Sequence, residues 1–190
     1  MWSEPCVVES GAAMAALVQQ GQLGRSQVLA EYRVYNAEPY IELRLRVHWA
    51  EQFKVLKLAL ALPSGITRRV DGVLGAAIGR PLDGSERPLR DWTLLQGSEE
   101  NAVAVVSPDV FALDATPQRL RLTLLRSPRM AHHDPCRRSD PRDRFTDRGE
   151  HEFRLRIYAG KGLREQYLDD QALMLHRPLV MADLTRGMNA

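Results

Sequence analysis

The sequence predicts an all-β chain folded as an antiparallel sandwich, and three observations carry that expectation. Apolar and charged residues alternate with period two over most of the chain, so each such stretch has one greasy and one polar face. Turn residues punctuate these stretches about every ten residues, the spacing of a sandwich rather than of βαβ units. Only Leu163–Leu175 has a helix-like composition, and it predicts one short C-terminal helix.

Taken in order, Ala12–Gln20 fits helix and strand equally. Val28, Ala30, Tyr32 and Val34 then alternate with Glu31 and Arg33, and Asn36-Ala37-Glu38-Pro39 supplies a turn. In Tyr40–Trp49, Ile41, Leu43, Leu45, Val47 and Trp49 alternate with Glu42, Arg44, Arg46 and His48. Leu56, Leu58, Leu60 and Leu62 form a third row that stops at Pro63-Ser64-Gly65, and the three consecutive strands read as a meander. Val70–Ile78 contains glycines and reads as one bent or bulged strand. Leu89–Leu95, Ala102–Val106 and Val110–Leu113 are short strands, and the rows Leu120, Leu122, Leu124 and Phe153, Leu155, Ile157 mark two strong amphipathic ones. Two long loops interrupt the series: Gly79–Pro88, and Ser127–Gly149, which is dense in Arg and Asp. Loops of that length are functional or disordered.

Composition excludes several classes. A 190-residue chain with 44% hydrophobic residues and a net charge of +2 is too apolar and too weakly charged for a disordered one. It is also long enough to bury a core without disulfides or metal. No apolar run approaches the roughly 18–20 residues of a membrane span, and Met1–Ser10 lacks the basic and apolar regions of a secretory leader. The two cysteines, Cys6 and Cys136, make no disulfide framework. The expectation is a cytoplasmic chain with no membrane partner. Of the 26 basic residues only Lys54, Lys57 and Lys161 are lysine, but acids alternate with the arginines, so no one-signed patch exists for nucleic acid.

Motifs for catalysis are sparse. His132-His133-Asp134-Pro135-Cys136 has ligand-type residues, but adjacent ligands do not readily close on one ion, and a polar surface loop accounts for them. Gly149-Glu150-His151-Glu152 lacks the spacing of a zinc-binding helix, and it reads as a strand start in which Glu150 and His151 pair with neighbouring arginines. There is no GxSxG elbow, Walker loop or GxGxxG. Asp83, Glu86, Asp143 and Asp147 could supply paired carboxylates for glycosidic cleavage, although nothing in the sequence sets any two across a cleft.

Four stretches together resemble a known family. Arg44-Leu-Arg-Val-His-Trp-Ala-Glu51 with Leu56-Lys57-Leu58, then Arg80-Pro-Leu-Asp-Gly-Ser-Glu86-Arg-Pro88 with Trp92, then Leu122-Thr-Leu-Leu-Arg126-Ser-Pro128, and finally Thr146-Asp-Arg-Gly149-Glu-His151-Glu-Phe153 are similar, in that order, to the C-terminal region of glycoside hydrolase family 38, the α-mannosidases. The resemblance implies a galactose-mutarotase-like β-sandwich, here partial, over residues 1–160. Residues 161–190 would form a helical connector and the start of a following β segment. It implies a separate catalytic domain, which carries zinc and the aspartate nucleophile of a retaining mechanism. None of those motifs has a counterpart in this chain, so no cofactor is expected in it and the chain alone is expected to be inactive. Where the family has Glu-Gly-Pro, this chain has Glu9-Ser10-Gly11-Ala12, and the expectation is a fragment or truncated relative with an unpaired strand edge.

On that reading the chain is a non-catalytic domain that supports the enzyme and shapes its carbohydrate cleft, with a catalytic domain or a second copy as partner. The alternative is a stand-alone module that binds carbohydrate, such as mannosides, or another partner. The residues expected to line a cleft are Asp83, Glu86, Trp92, Arg142, Asp147 and His151, because sugars are recognised by planar hydrogen-bonding groups and aromatic faces. Glu86 and Trp92 have a second reading as residues that hold their loop, with Trp92 in the core. Arg126 reads as one half of an internal ion pair.

Overall fold

Alternation fixes which side chains share a face, and the computed structural model, which describes residues 1–97, 101–130 and 144–177, shows what each face meets. In chain order the strands are β1 (Cys6–Ser10), β2 (Met14–Leu23), β3 (Ser26–Tyr35), β4 (Tyr40–Trp49), β5 (Val55–Ala61), β6 (Arg68–Val73) and β7 (Ala76–Arg80). They continue as β8 (Arg87–Pro88), β9 (Trp92–Gln96), β10 (Ala102–Val106), β11 (Ala112–Thr116), β12 (Arg119–Arg126) and β13 (Gly149–Gly160), and the helix α1 (Glu165–His176) follows. Nine strands make one antiparallel sheet in the order β1-β2-β3-β4-β13-β10-β9-β6-β7, and four make a second in the order β5-β12-β11-β8. The chain is an all-β, two-sheet sandwich with one short helix.

The inner rows of the two sheets form the main core: Leu43, Leu45, Val47, Leu95, Val105, Leu113, Leu120, Leu122 and Leu155 are all buried there. A second core lies on the other side of the large sheet, where Val70, Trp92, Leu94, Ala104, Val106 and Tyr158 meet Leu168, Ala172 and Leu175 of α1. Adjacent residues such as Leu94 and Leu95 therefore serve different cores. This is why β9 and β10 read as continuous apolar runs while β4 and β13, whose outer faces carry charge, alternate cleanly. Fully burying one such leucine is worth about 1.5–3 kcal/mol.

Several expectations are corrected. The ambiguous stretch 12–20 is strand: β2 pairs with β3 over ten residues, from Met14↔Tyr35 to Leu23↔Ser26. The meander is thus β2-β3-β4, and β5 leaves it to pair with β12 in the other sheet. The link Ala50–Lys54 makes that change, with Phe53 at φ 54° redirecting the backbone; leucine alternation alone suits either sheet. The single bent strand at 70–78 is two strands, joined by a two-residue turn at Leu74-Gly75 with Gly75 at φ 75°. The strand expected at Val110–Leu113 runs instead from Ala112 to Thr116. The segment expected to start a further β element after α1 lies outside the described residues.

Candidate functional site

Three of the four family-like stretches are tied together at one end of the sandwich, where β4 and β12 finish and β5 and β13 begin. The Trp49 indole Nε1 donates to Ser127 Oγ at 3.2 Å, Phe53 N donates to Ser127 O at 2.9 Å, and Ser127 N donates to Lys54 O at 2.9 Å. Glu51, 4% exposed, accepts from the Arg25 amide at 2.5 Å and from the Lys54 ammonium, which anchors the β2–β3 turn to the same corner. The Lys54 bond holds its carboxyl below the usual carboxylate range. Thr146 closes the corner, its amide donating to Pro128 O at 3.1 Å and its hydroxyl to Arg126 O at 3.4 Å.

The remaining stretch joins them through Glu86. This residue sits just before β8, on the outer face of the small sheet, where register brings complementary groups opposite each other: Thr123 faces Lys57, and Asp114 faces Arg121. Glu86 Oε2 accepts from Lys57 Nζ at 2.6 Å and from Thr123 Oγ1 at 3.0 Å, while Oε1 accepts from Arg126 Nη2 at 2.6 Å. Lys57 Nζ also donates to Asp114 Oδ2 at 2.6 Å, and Arg121 Nε donates to Asp114 Oδ1 at 2.6 Å.

Three cations thus enclose two carboxylates. The Lys57 ammonium, helped by Thr123 and Arg126, outweighs burial and holds Glu86 below the usual carboxylate range. Burial pushes Asp114 up, but Lys57 and Arg121 outweigh it and hold this carboxyl low as well. A general acid for glycosidic cleavage needs a raised pKa at neutral pH. Both carboxylates are displaced the other way and have their oxygens committed, so the arrangement is a tie between strands rather than an acid–base pair. Arg126 is half of an internal ion pair, in line with the sequence.

The other candidates separate. Asp83 Oδ1 accepts from Ser85 N at 2.9 Å, which caps the turn at Gly84 and holds the carboxyl low, and Arg87 lies 3.7 Å away. Trp92 is 1% exposed on the face of the large sheet that meets α1, and its Nε1 donates to Asp169 Oδ1 at 2.6 Å. Both sheets lie between it and Glu86, and it offers no aromatic face to solvent. Asp147, at φ 56°, has its carbonyl 2.8 Å from His151 Nε2, and the His151 ring stacks on Phe153 at 6.4 Å between centroids. Through Thr146 this pair neighbours the Arg126–Glu86 contact.

Arg142, like His132, His133 and Cys136, lies outside the described residues. Glu150 pairs with His48 at 2.6 Å rather than with an arginine, and Glu152 pairs with Arg46 at 2.9 Å. Among the described residues no three His, Cys, Asp or Glu side chains stand close enough to share an ion. The sequence reading did not single out Lys57, Asp114, Arg121 or Thr123 as site residues. Their one signal was a charge inside an apolar strand, at Lys57 and Asp114, which calls for an opposite charge across the sheet.

Comparison with known proteins places this architecture. The glycosyl hydrolases family 38 C-terminal domain matches residues 2–135. No curated protein matches the chain in sequence. Two solved structures from Enterococcus faecalis share its fold. One is a protein in glycosyl hydrolase family 38 (TM-score 0.74, 10% identity, 92% of this chain and 25% of that one). The other is an alpha-mannosidase (TM-score 0.72, 11% identity, 92% of this chain and 24% of that one). The chain spans about a quarter of the length of each. With the family match extending over more than half its residues, the chain belongs to the glycosyl hydrolase family 38 C-terminal domain family.

Proposed function

We propose that this chain acts as the non-catalytic β-sandwich of an α-mannosidase-like glycoside hydrolase, which supports a catalytic domain and borders its carbohydrate cleft. The observation that carries the reading is the state of the carboxylates at the corner where the family-like stretches meet. Glu86, Asp114 and Glu51 are each spent on cations or backbone amides, which suits a rigid support. Family membership and the shared fold of an alpha-mannosidase support it. On this reading the partner supplies the nucleophile, any zinc and most of the contacts to a mannoside, and the Glu86–Thr146–His151 corner holds one wall of the cleft.

The test uses the recombinant chain and cells that express it naturally. The purified chain, with and without added zinc, is expected to release no nitrophenol from 4-nitrophenyl α-mannoside, whereas immunodepletion of the chain from cell extract removes that activity. Hydrolysis by the purified chain, or activity left whole after depletion, would overturn the proposal.

A further inference from the structure

Arginines gather at one end of the sandwich on the faces that point inward. Arg69 in β6 and Arg80 in β7 are direct cross-strand partners, so their side chains leave the large sheet on the same face. Arg69 is also the partner of Leu95, a main-core residue, which makes that face the one turned toward the small sheet. Arg87 enters the same layer from the other side, as the partner of Leu113 in β11, another main-core residue. Strands β7 and β8 are terminal in their sheets and consecutive in the chain. Just after β8, Arg90 N donates to Gly72 O of β6 at 2.8 Å, so the two edges lie together. Glu86, one residue before Arg87, faces outward, and its cluster is separate.

Charge is not balanced at this end. Asp71 Oδ1 accepts from Arg69 Nε at 2.9 Å and from Thr93 Oγ1 at 2.7 Å, and its Oδ2 accepts from Arg69 Nη2 at 2.6 Å. Asp83 accepts from the Ser85 amide and lies 3.7 Å from Arg87 Nη2. Arg80 pairs with no carboxylate among the described residues. Arg69 Nη1, Arg80 Nε and Arg87 Nε are each buried with no hydrogen-bond partner among those residues. Three guanidiniums thus meet two carboxylates, and each guanidinium keeps a buried donor.

Such an arrangement is costly as it stands. Like charges set opposite each other across a sheet repel, and arginine does not shed its proton to escape. Water would accept from the donors but leave the extra charge uncompensated. An oxyanion answers both demands, because its oxygens match guanidinium N–H groups and carry the missing charge. The layer is also reachable. Ile78, the partner of Asp71 and so on the same inner face, is 39% exposed, and the Arg87 side chain is 40% exposed.

We propose that Arg69, Arg80 and Arg87 form a binding site for one small oxyanion, phosphate or carboxylate, between the edges of the two sheets. Arg69, clamped by Asp71, presents Nη1 as a fixed donor. Arg80 supplies the charge that Asp71 does not neutralise, and Arg87 closes on the anion from the small sheet. The bound anion ties β6 and β7 to β8 across the layer.

The test is thermal unfolding at pH 7 in inorganic phosphate, with ionic strength held by sodium chloride. It compares the unaltered chain with Arg80→Gln and with the control Arg46→Gln, whose side chain is 70% exposed on the outer face of the large sheet. At ten times its Kd, phosphate should favour folding of the unaltered chain about eleven-fold, a rise in Tm of roughly 3–6 °C. Arg46→Gln should keep that rise, and Arg80→Gln should lose most of it. Without phosphate, Arg80→Gln should melt at or above the Tm of the unaltered chain, because one of two opposed charges is gone. Acetate in place of phosphate separates the two sources: a gain with phosphate means a free tetrahedral anion, and a gain with acetate alone means a carboxylate such as a partner's acidic side chain. A gain with either that depends on Arg80 upholds the site. Equal gains in the unaltered chain and Arg80→Gln, or no gain with either anion at tens of millimolar, would overturn it and leave the three donors to water. So would a clear fall in Tm for Arg80→Gln without phosphate, because Arg80 would then be a packing residue.

Discussion

Glu86 and Arg126 are 40 positions apart in sequence and 2.6 Å apart in space, and the same carboxylate reaches Lys57 at 2.6 Å. The pair links the loop before β8 to the end of β12, and through Lys57 to β5, so one side chain holds three elements of the small sheet. Glu86 is about one-third exposed, so solvent screens the contact and its ionic part is modest. Glu86→Gln is expected to cost about 1 kcal/mol, a fall in Tm of roughly 2–4 °C for a domain of this size. Thermal denaturation at neutral pH checks this, and a loss below 1 °C would show that Asp114 alone suffices to hold Lys57.

The same cluster sets an acid limb. Glu86 and Asp114 titrate below their ordinary values of 4.5 and 3.8 in the folded chain, and Glu51 and Asp83 are shifted the same way. For a depressed carboxylate the stabilisation is complete above the unfolded value and is lost as pH falls through the folded one. Tm should therefore hold down to about pH 4.5 and drop steeply below it, with a shallower drop in Glu86→Gln. Lys57 is shifted the opposite way: burial pushes it down, but Asp114 and Glu86 outweigh that and raise it above 10.5. Its contribution is present below that value and fades only at higher pH. A Tm that rises on acidification from pH 5 to pH 3 would contradict the assignment.

Strands with one polar face could be read directly from the sequence, because alternation reports the face and β3, β4, β12 and β13 each bury one row. Partnership between sheets could not. The row Leu56, Leu58, Leu60 is equally satisfied beside β4 or beneath it, and the deciding feature, Phe53 at positive φ, is a backbone state that a phenylalanine does not announce. Trp92 illustrates the limit at the site. Its motif suggested a cleft wall, but a tryptophan in a strand buried on both faces takes its meaning from whichever element covers it. Here that element is α1, 77 positions later. Glu86 was legible as a polar residue in a family-like loop; its partners were not, because cross-strand register decides them.

A buried ion pair lies between the sheets, unnoticed in the sequence. Arg69 and Asp71 side chains are 0% exposed and joined by Nε–Oδ1 at 2.9 Å and Nη2–Oδ2 at 2.6 Å, and Thr93 Oγ1 donates to Asp71 Oδ1 at 2.7 Å. Arg69 Nη1 has no hydrogen-bond partner. Removing one member leaves a charge buried alone, so Asp71→Ala should cost about 3–5 kcal/mol, whereas the double change Arg69→Met with Asp71→Leu should cost far less. Chemical denaturation of both variants measures the difference. Equal losses would mean that shape, not charge, governs the position.

The docking of α1 is tested at Asp169. This exposed carboxylate accepts the Trp92 indole N–H at 2.6 Å, and Trp92 itself packs so closely on β6 that a Cβ at Gly72 would meet its Nε1 at 2.8 Å. Asp169→Ala leaves the buried indole N–H without its acceptor, at a cost of about 1–3 kcal/mol. Asp169→Asn keeps an acceptor oxygen and should recover most of it. Because the bond joins the helix to the sheet, the loss should be local as well as global: amides of Glu165–His176 should exchange faster in Asp169→Ala than those of β4 and β13. Unchanged exchange across the helix would show that Leu168, Ala172 and Leu175 hold it by packing alone. A helix that exchanges freely in the unaltered chain would show that the second core is not formed in solution.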